Sequence, residues 1–221
     1  MRTKRVTLLA GHYGSGKTNI AVNMAMMQKK AGYNVALADL DIVNPYYRSK
    51  DSEEDLKAMG IELICSPFAN SNVDVPALPQ ELYRIVDEIQ TNMVVDIGGD
   101  DRGAYALGRF AQRLKDENDY EMILVINKYR PLTVDEKDAI EIMHEIEEAG
   151  HLKFTAIVNN SNLGKETTAQ DVLDSIPYAE KMAKETGLPL LLTTVRNDLL
   201  PELEGKIENL MGMTLQQSRI W

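Results

Sequence analysis

The sequence predicts an α/β fold of three layers: a mostly parallel sheet of seven to eight strands with helices on both faces, organised around a phosphate-binding loop. Three observations carry that expectation. Apolar runs of strand length alternate with amphipathic stretches from end to end, as in a parallel sheet joined by crossover helices. A glycine-rich turn, Gly11-His12-Tyr13-Gly14-Ser15-Gly16-Lys17-Thr18, stands between the first strand and the first helix. Short polar clusters follow other strands, at the sheet edge where α/β proteins bind their ligands.

The strands are expected at Val6–Ala10, Val35–Asp39, 61–65, 93–97, 122–127, 155–159 and 190–195. Helices are expected at 19–31, 78–91, 104–115, 134–149 and 168–186. In the 134–149 stretch Ile140, Met143, Ile146 and Ala149 mark one face, with Glu141, Glu145 and Glu148 on another. The acidic run from Asp51 to Asp55 suits the first turn of a helix, where the macrodipole favours negative charge. No repeat, low-complexity tract or linker divides the chain, so residues 1–221 are expected to form a single nucleotide-binding domain.

Composition narrows the function classes. The 221 residues are 44% hydrophobic and 26% charged, an ordinary globular balance with ample core. The net charge of −10 opposes general affinity for nucleic acid or anionic lipid. One cysteine, Cys65, excludes disulfides and CxxC metal sites made within one chain, and its place in an apolar run suits a buried, inert thiol. The apolar stretch near the N-terminus is shorter than the roughly 7–15 residues of a secretory signal. Nothing approaches the roughly 20 apolar residues of a membrane span. These features imply a cytoplasmic protein.

The glycine-rich turn carries the chemistry. Backbone N–H groups from Gly14 to Thr18 can wrap a phosphate, because glycine lets the main chain come close. The helix that follows adds roughly half a positive charge at the same point. Lys17 supplies a full charge to the β- and γ-phosphates, and the Thr18 hydroxyl can ligate Mg²⁺. The expected nucleotide-binding set is therefore His12, Tyr13, Gly14, Ser15, Gly16, Lys17 and Thr18.

Other strand tips add to it. After the second strand come Asp39, Asp41, Asn44 and Pro45, and the proline forces Asn44 out of helical geometry. Two carboxylates two residues apart in extended chain point to the same side. Asp41, the further out, is the candidate for orienting an attacking water; a capping or turn aspartate is the plainer alternative. After residues 93–97 come Gly98 and Gly99, with Asp96 placed to anchor Mg²⁺. The glycine pair can form a switch on a γ-phosphate, or a plain turn. Asn127-Lys128-Tyr129-Arg130 opens like the guanine-reading NKxD motif, but arginine replaces the carboxylate that would accept the guanine protons, so GTP preference is unsupported. Asn159 ends another strand, and its amide can give and accept at the adenine edge.

Taken together, Gly14-Ser15-Gly16-Lys17-Thr18, Asp39-Leu40-Asp41 with Asn44-Pro45, Asp96-Ile97-Gly98-Gly99 and Val158-Asn159 resemble the MinD/ParA branch of phosphate-loop ATPases. This is the SIMIBI class, which includes the CobQ/CobB-type nucleotide-binding domains. The likeness runs from Val6 to about Leu200. It implies ATP with Mg²⁺, and a homodimer that places two nucleotides near a shared interface. It implies that Lys17 binds phosphate, Thr18 ligates Mg²⁺, Asp39 and Asp96 support the metal, Asp41 orients water and Asn159 reads adenine. Asn44, Gly98 and Gly99 are the expected switch positions.

Three departures stand out. The family's signature lysine falls at His12 and the next glycine at Tyr13; Arg48, Arg102 and Arg196 are candidates to supply the missing charge. The CxxC of metal-carrying members is absent. The stretch 203–221 has mixed charges rather than the Lys/Arg-rich polar face of a membrane-targeting helix. The reading that follows is a slow, Mg²⁺-dependent ATPase acting as a nucleotide-controlled switch for a protein client. The alternatives are a small-molecule kinase or ATP-dependent ligase, with an acceptor pocket near Asn44, Tyr46, Tyr47 and Arg48, and a binding module without useful catalysis.

Overall fold

The computed structural model describes residues 4–40, 50–65, 83–98 and 101–215. Eight parallel strands form one sheet among these residues, in the order β3-β2-β4-β1-β5-β6-β7-β8. The strands are β1 (Val6–Ala10), β2 (Val35–Asp39), β3 (Glu62–Cys65), β4 (Asn92–Asp96), β5 (Tyr120–Ile126), β6 (Ala156–Asn159), β7 (Leu190–Arg196) and β8 (Leu210–Met213). The helices are α1 (Lys17–Lys30), α2 (Lys50–Ala58), α3 (Arg84–Asp87), α4 (Asp101–Gly108), α5 (Ala111–Glu117), α6 (Glu136–Gly150), α7 (Ala169–Thr186) and α8 (Leu200–Leu203).

Period-two alternation along the strands builds two cores. Val6, Leu8, Ala10, Met93, Val95, Met122, Leu124 and Ile126 join one apolar cluster with residues of α4 to α7. Leu9, Val35, Leu37, Val94, Ile123 and Val125 face the other, against Ile20, Ala21 and Ala25 of α1 and Leu56 of α2. Burial on both faces explains why these strands read as nearly unbroken apolar runs. All strand C-termini share one edge, and β1, between β4 and β5, delivers the glycine-rich turn to its middle. No helix among the described residues is long and apolar enough to cross a membrane.

Three elements differ from the sequence expectation. The helix expected at 104–115 is two, because Gly108 meets α6 and Phe110 turns into the core. A Cβ on Gly108 would lie 3.2 Å from the carbonyl oxygen of Ala149, and Phe110 is fully buried, edge-on to Tyr83 with ring centroids 5.2 Å apart. Of the helix expected at 78–91, residues 78–82 lie outside the described residues and α3 stops at Asp87. Arg5 holds the chain there, donating to the carbonyls of Ile85 (3.0 Å), Glu88 (3.1 Å) and Thr91 (3.5 Å). The eighth strand, β8, is within the seven to eight expected but lies in a stretch without a strand run of its own in the sequence. It pairs with β7 from Thr193↔Leu210 onward and is tied to α1 by Asn23, whose amide donates to and accepts from the Thr214 backbone, both at 3.0 Å.

Candidate functional site

The turn from Gly11 to Thr18 is shaped by what crowds it. A Cβ on Gly11 (φ 145°) would strike the Val125 carbonyl in β5, and one on Gly16 (φ 90°) would strike the Asn160 amide. Those positive φ angles are strained for other residues, so glycine fits both sites for two reasons. The turn closes on itself where Ser15 N–H donates to the His12 carbonyl at 3.1 Å. Gly16 then caps α1 without a side-chain bond, and the first turn of that helix has no acidic residue. Such a helix start leaves N–H groups and a positive dipole end for an anion.

Lys17 is buried, and its ammonium donates to the carbonyls of Gly11 (3.0 Å) and His12 (3.2 Å). It thus arches back over its own turn. Thr18 Oγ1 donates to Asp96 Oδ2 at 2.6 Å, joining the start of α1 to the tip of β4. Asp96 is buried, and β2 and β4 are in register such that Asp39 lies beside it. Thr18, Asp39 and Asp96 are therefore gathered at one place. His12 turns its ring onto the loop, Nδ1 donating to the Tyr13 carbonyl at 2.8 Å, and Tyr13 is 60% exposed. Gly98 follows β4 where α4 comes close: a Cβ on Gly103 would lie 2.8 Å from the Gly98 nitrogen. Asp41, Asn44 and Gly99, with Tyr46, Tyr47 and Arg48, lie outside the described residues.

Asn159 is placed differently from the expectation. It is fully buried; its Nδ2 donates to Ser175 Oγ at 2.9 Å, and its Oδ1 accepts from Ser161 N (3.2 Å) and Ser161 Oγ (2.7 Å). Both ends of the amide are engaged inside the fold, its Oδ1 by Ser161 and its Nδ2 by Ser175. Its neighbour Asn160 is the residue that reaches the glycine-rich turn. There Nδ2 donates to the Ser15 carbonyl at 2.6 Å, while Oδ1 accepts from Thr194 Oγ1 at 2.5 Å. One step along an extended chain reverses the side that a residue faces, which accounts for the shift.

The loops after β5 and β6 are laced together. Asn127 Oδ1 accepts from Tyr129 N (3.0 Å) and Asn162 N (3.2 Å), and Lys128 N donates to Ser161 Oγ at 2.9 Å. Arg196, one of the residues considered for the missing charge, is committed elsewhere. Its guanidinium pairs with Asp198 and donates to the Lys165 carbonyl at 2.6 Å. Sequence reasoning missed Asn160, Ser161, Asn162 and Thr194. The signal was an unbroken polar run, 159–162, directly after an apolar strand.

The profile of the CobQ/CobB/MinD/ParA nucleotide-binding domain matches residues 6–190. The chain belongs to that family. It is thus a nucleotide-binding phosphate-loop domain of the SIMIBI class, as its sequence suggested. No curated protein matches the sequence. Among solved structures, the chain is similar in fold to the cell division protein FtsY of Thermotoga maritima, with a TM-score of 0.55 at 19% identity, covering 86% of this chain and 61% of that one. It is likewise similar to FtsY of Mycoplasma mycoides, with a TM-score of 0.53 at 16% identity over 88% of this chain and 61% of the other. A third is the 54 kDa signal recognition particle protein of Aeropyrum pernix K1, solved with GDP, with a TM-score of 0.54 at 19% identity over 87% and 41%. The chain thus spans less than two thirds of each of these proteins, and identities this low speak for the fold alone.

Proposed function

We propose that this chain is an Mg²⁺-dependent ATPase that serves as a nucleotide-controlled switch for a protein client. The observation that carries the reading is the disposition of Lys17. Its ammonium rests on two carbonyls of its own loop, at the open start of α1, and Thr18 beside it is bonded to Asp96. A cation held on loop carbonyls beside a helix start that has no side-chain cap suits the β- and γ-phosphates of a nucleotide.

The residues fit magnesium. Mg²⁺ takes hard oxygen ligands and keeps several waters, so a hydroxyl and one or two carboxylates suffice alongside phosphate. Thr18 and Asp96 would hold it, with Asp39 in support; bound there, the ion would neutralise charge on the phosphate tail. Asp41 is the proposed group for orienting the attacking water. Asn44, Gly98 and Gly99 are the proposed switch positions, ordered by a γ-phosphate and released on hydrolysis. ATP is favoured over GTP because Arg130 stands where a guanine-reading loop needs a carboxylate. A homodimer, formed when nucleotide is bound, is part of the same reading.

The test is direct. Lys17→Ala should abolish ATP binding, whereas Asp41→Ala should bind ATP and release no phosphate. Normal phosphate release from Asp41→Ala overturns its assignment. Gel filtration with and without a non-hydrolysable ATP analogue reads the dimer, and a monomer under both conditions argues against the switch.

A further inference from the structure

Arg130 lies against the phosphate loop, and its side chain is bonded to none of the described residues. A Cβ on Gly14 would sit 3.4 Å from Arg130 Nε, 3.5 Å from Cζ and 3.7 Å from Cδ, so the guanidinium lies against that turn. The side chain is exposed, and it forms no hydrogen bond or ion pair with the described residues. Arg5, Arg84, Arg113 and Arg196 all hold carboxylates. Arg109, just after α4, is likewise without an ion pair among the described residues, so what sets Arg130 apart is its place beside the anion-binding turn in a chain of net charge −10.

The backbone beneath it is fixed. Arg130 N–H donates to the Asn127 carbonyl at 3.2 Å, and its own carbonyl accepts from Thr133 N at 3.0 Å. Pro131 follows and holds Arg130 extended, at φ −99° and ψ 132°. The flanking side chains are already spent. The Tyr129 hydroxyl donates to the Asp171 carbonyl at 2.7 Å, Lys128 Nζ to the Asp174 carbonyl at 2.9 Å, and Thr133 Oγ1 to the Asn127 carbonyl at 2.8 Å. A rigid platform therefore presents one free guanidinium, whose planar fork matches phosphate oxygens better than an ammonium does.

We propose that Arg130 is a nucleotide-binding residue, delivering in cis a second positive charge, beside that of Lys17, to the phosphate tail cradled at Gly14. The inference rests on the nucleotide-binding reading above, which uses Arg130 only as the absence of a guanine-reading carboxylate, and gives that residue a direct contact with phosphate. Because the guanidinium acts through charge, it favours the triphosphate, which has the larger negative charge, over the diphosphate.

Calorimetric titration of the full chain with MgATP and MgADP tests this, for the wild type, Arg130→Ala, Arg130→Lys, Arg130→Glu and Lys17→Ala. Arg130→Ala should weaken ATP about tenfold and ADP less; a tenfold loss corresponds to about 1.4 kcal/mol. Arg130→Lys should recover part of the loss and Arg130→Glu should deepen it. The difference should shrink in 1 M salt, as screening requires. The thermal midpoint of Arg130→Ala without nucleotide should stay close to the wild type, since no hydrogen bond or ion pair to the described residues is removed.

If the wild type binds ATP and Lys17→Ala does not, yet Arg130→Ala binds within twofold of the wild type, the role of Arg130 is overturned and the broader reading stands. If the wild type binds no nucleotide, both fall. If Arg130→Ala binds ATP normally but loses ATP-dependent dimerisation, the charge serves a second copy and the cis assignment is wrong.

Discussion

Asn160 Nδ2 donates to the Ser15 carbonyl at 2.6 Å, bridging the end of β6 to the centre of the glycine-rich turn. Its Oδ1 is held by Thr194 Oγ1 on β7, so a single amide fixes the height of the loop above the sheet. The amide also fills the space that a side chain on Gly16 would need. The packing therefore ties the glycine and the asparagine together.

Replacing Asn160 should loosen the loop. Asn160→Ala leaves the Ser15 carbonyl without its donor, at a cost of about 1–3 kcal/mol for a buried group left unpaired, while the Thr194 hydroxyl keeps the Asn159 carbonyl at 3.4 Å. Asn160→Asp is the sharper variant. It keeps the size but puts an acceptor against the Ser15 carbonyl and an anion beside the phosphate site. Nucleotide affinity should fall further in Asn160→Asp than in Asn160→Ala. Equal affinities for the two variants would show that charge at this position does not reach the phosphate.

The contact of Thr18 Oγ1 with Asp96 Oδ2 predicts a split between nucleotide and metal. Thr18→Ala removes the hydroxyl but none of the backbone N–H groups that wrap phosphate. Binding of nucleotide in EDTA should be nearly retained, while the gain from adding Mg²⁺ should fall about tenfold or more. Asp96→Asn should lose the same increment. Thermal shift against nucleotide, with and without Mg²⁺, reads both terms. A full Mg²⁺ gain in Thr18→Ala would remove that hydroxyl from the metal site.

The parts of the fold that were legible in the sequence share one cause. Strands buried on both faces write themselves as apolar runs, and β1, β2 and the glycine-rich turn were readable to the residue. What stayed hidden depends on partners remote in sequence. Arg5 ends α3 through carbonyls that no local pattern reveals. The short strand β8 exists because β7 and Asn23 receive it, not because residues 210–213 carry a strong signal of their own. At the site, spacing named Lys17, Thr18 and Asp96 as candidates, and the bond from Thr18 to Asp96 is a tertiary fact, whereas the partners of Asn159 and Asn160 turn on which side of an extended chain each faces. The position of Arg130 against Gly14 is likewise a tertiary fact: the sequence showed only that a carboxylate was missing there.

Arg5 predicts a large effect on stability away from the nucleotide. Its guanidinium is almost wholly buried, paired with Glu117 through two hydrogen bonds, one of them 2.5 Å to Oε2, and bonded to the carbonyls around α3. Glu117 is 25% exposed and can be rehydrated, so the cost falls mainly on the carbonyls left without their donor, about 1–3 kcal/mol for a buried group left unpaired. Arg5→Ala should lower the denaturant midpoint by a corresponding amount. Arg5→Lys should rescue little, because an ammonium cannot reproduce the fork. A loss below about 1 kcal/mol in Arg5→Ala would mean that water replaces these bonds freely.

Glu121 gives a pH-dependent prediction of definite sign. It lies on β5 next to β1, and burial pushes its carboxyl above the usual range, with Lys4 opposing the shift only in part. A carboxyl whose folded-state pKa is raised binds a proton more readily in the native protein than in the unfolded chain. Its contribution is therefore most favourable below the unfolded pKa and is lost as pH rises through the folded one. At neutral pH the ionised group opposes folding. Glu121→Gln should accordingly raise stability at pH 7, and the gain should shrink as the pH is lowered through the carboxylate range. Urea unfolding of both proteins between pH 4 and pH 8 measures the difference. A gain that instead grew towards pH 4 would mean that the carboxylate form is the one the fold favours, with Lys4 outweighing burial.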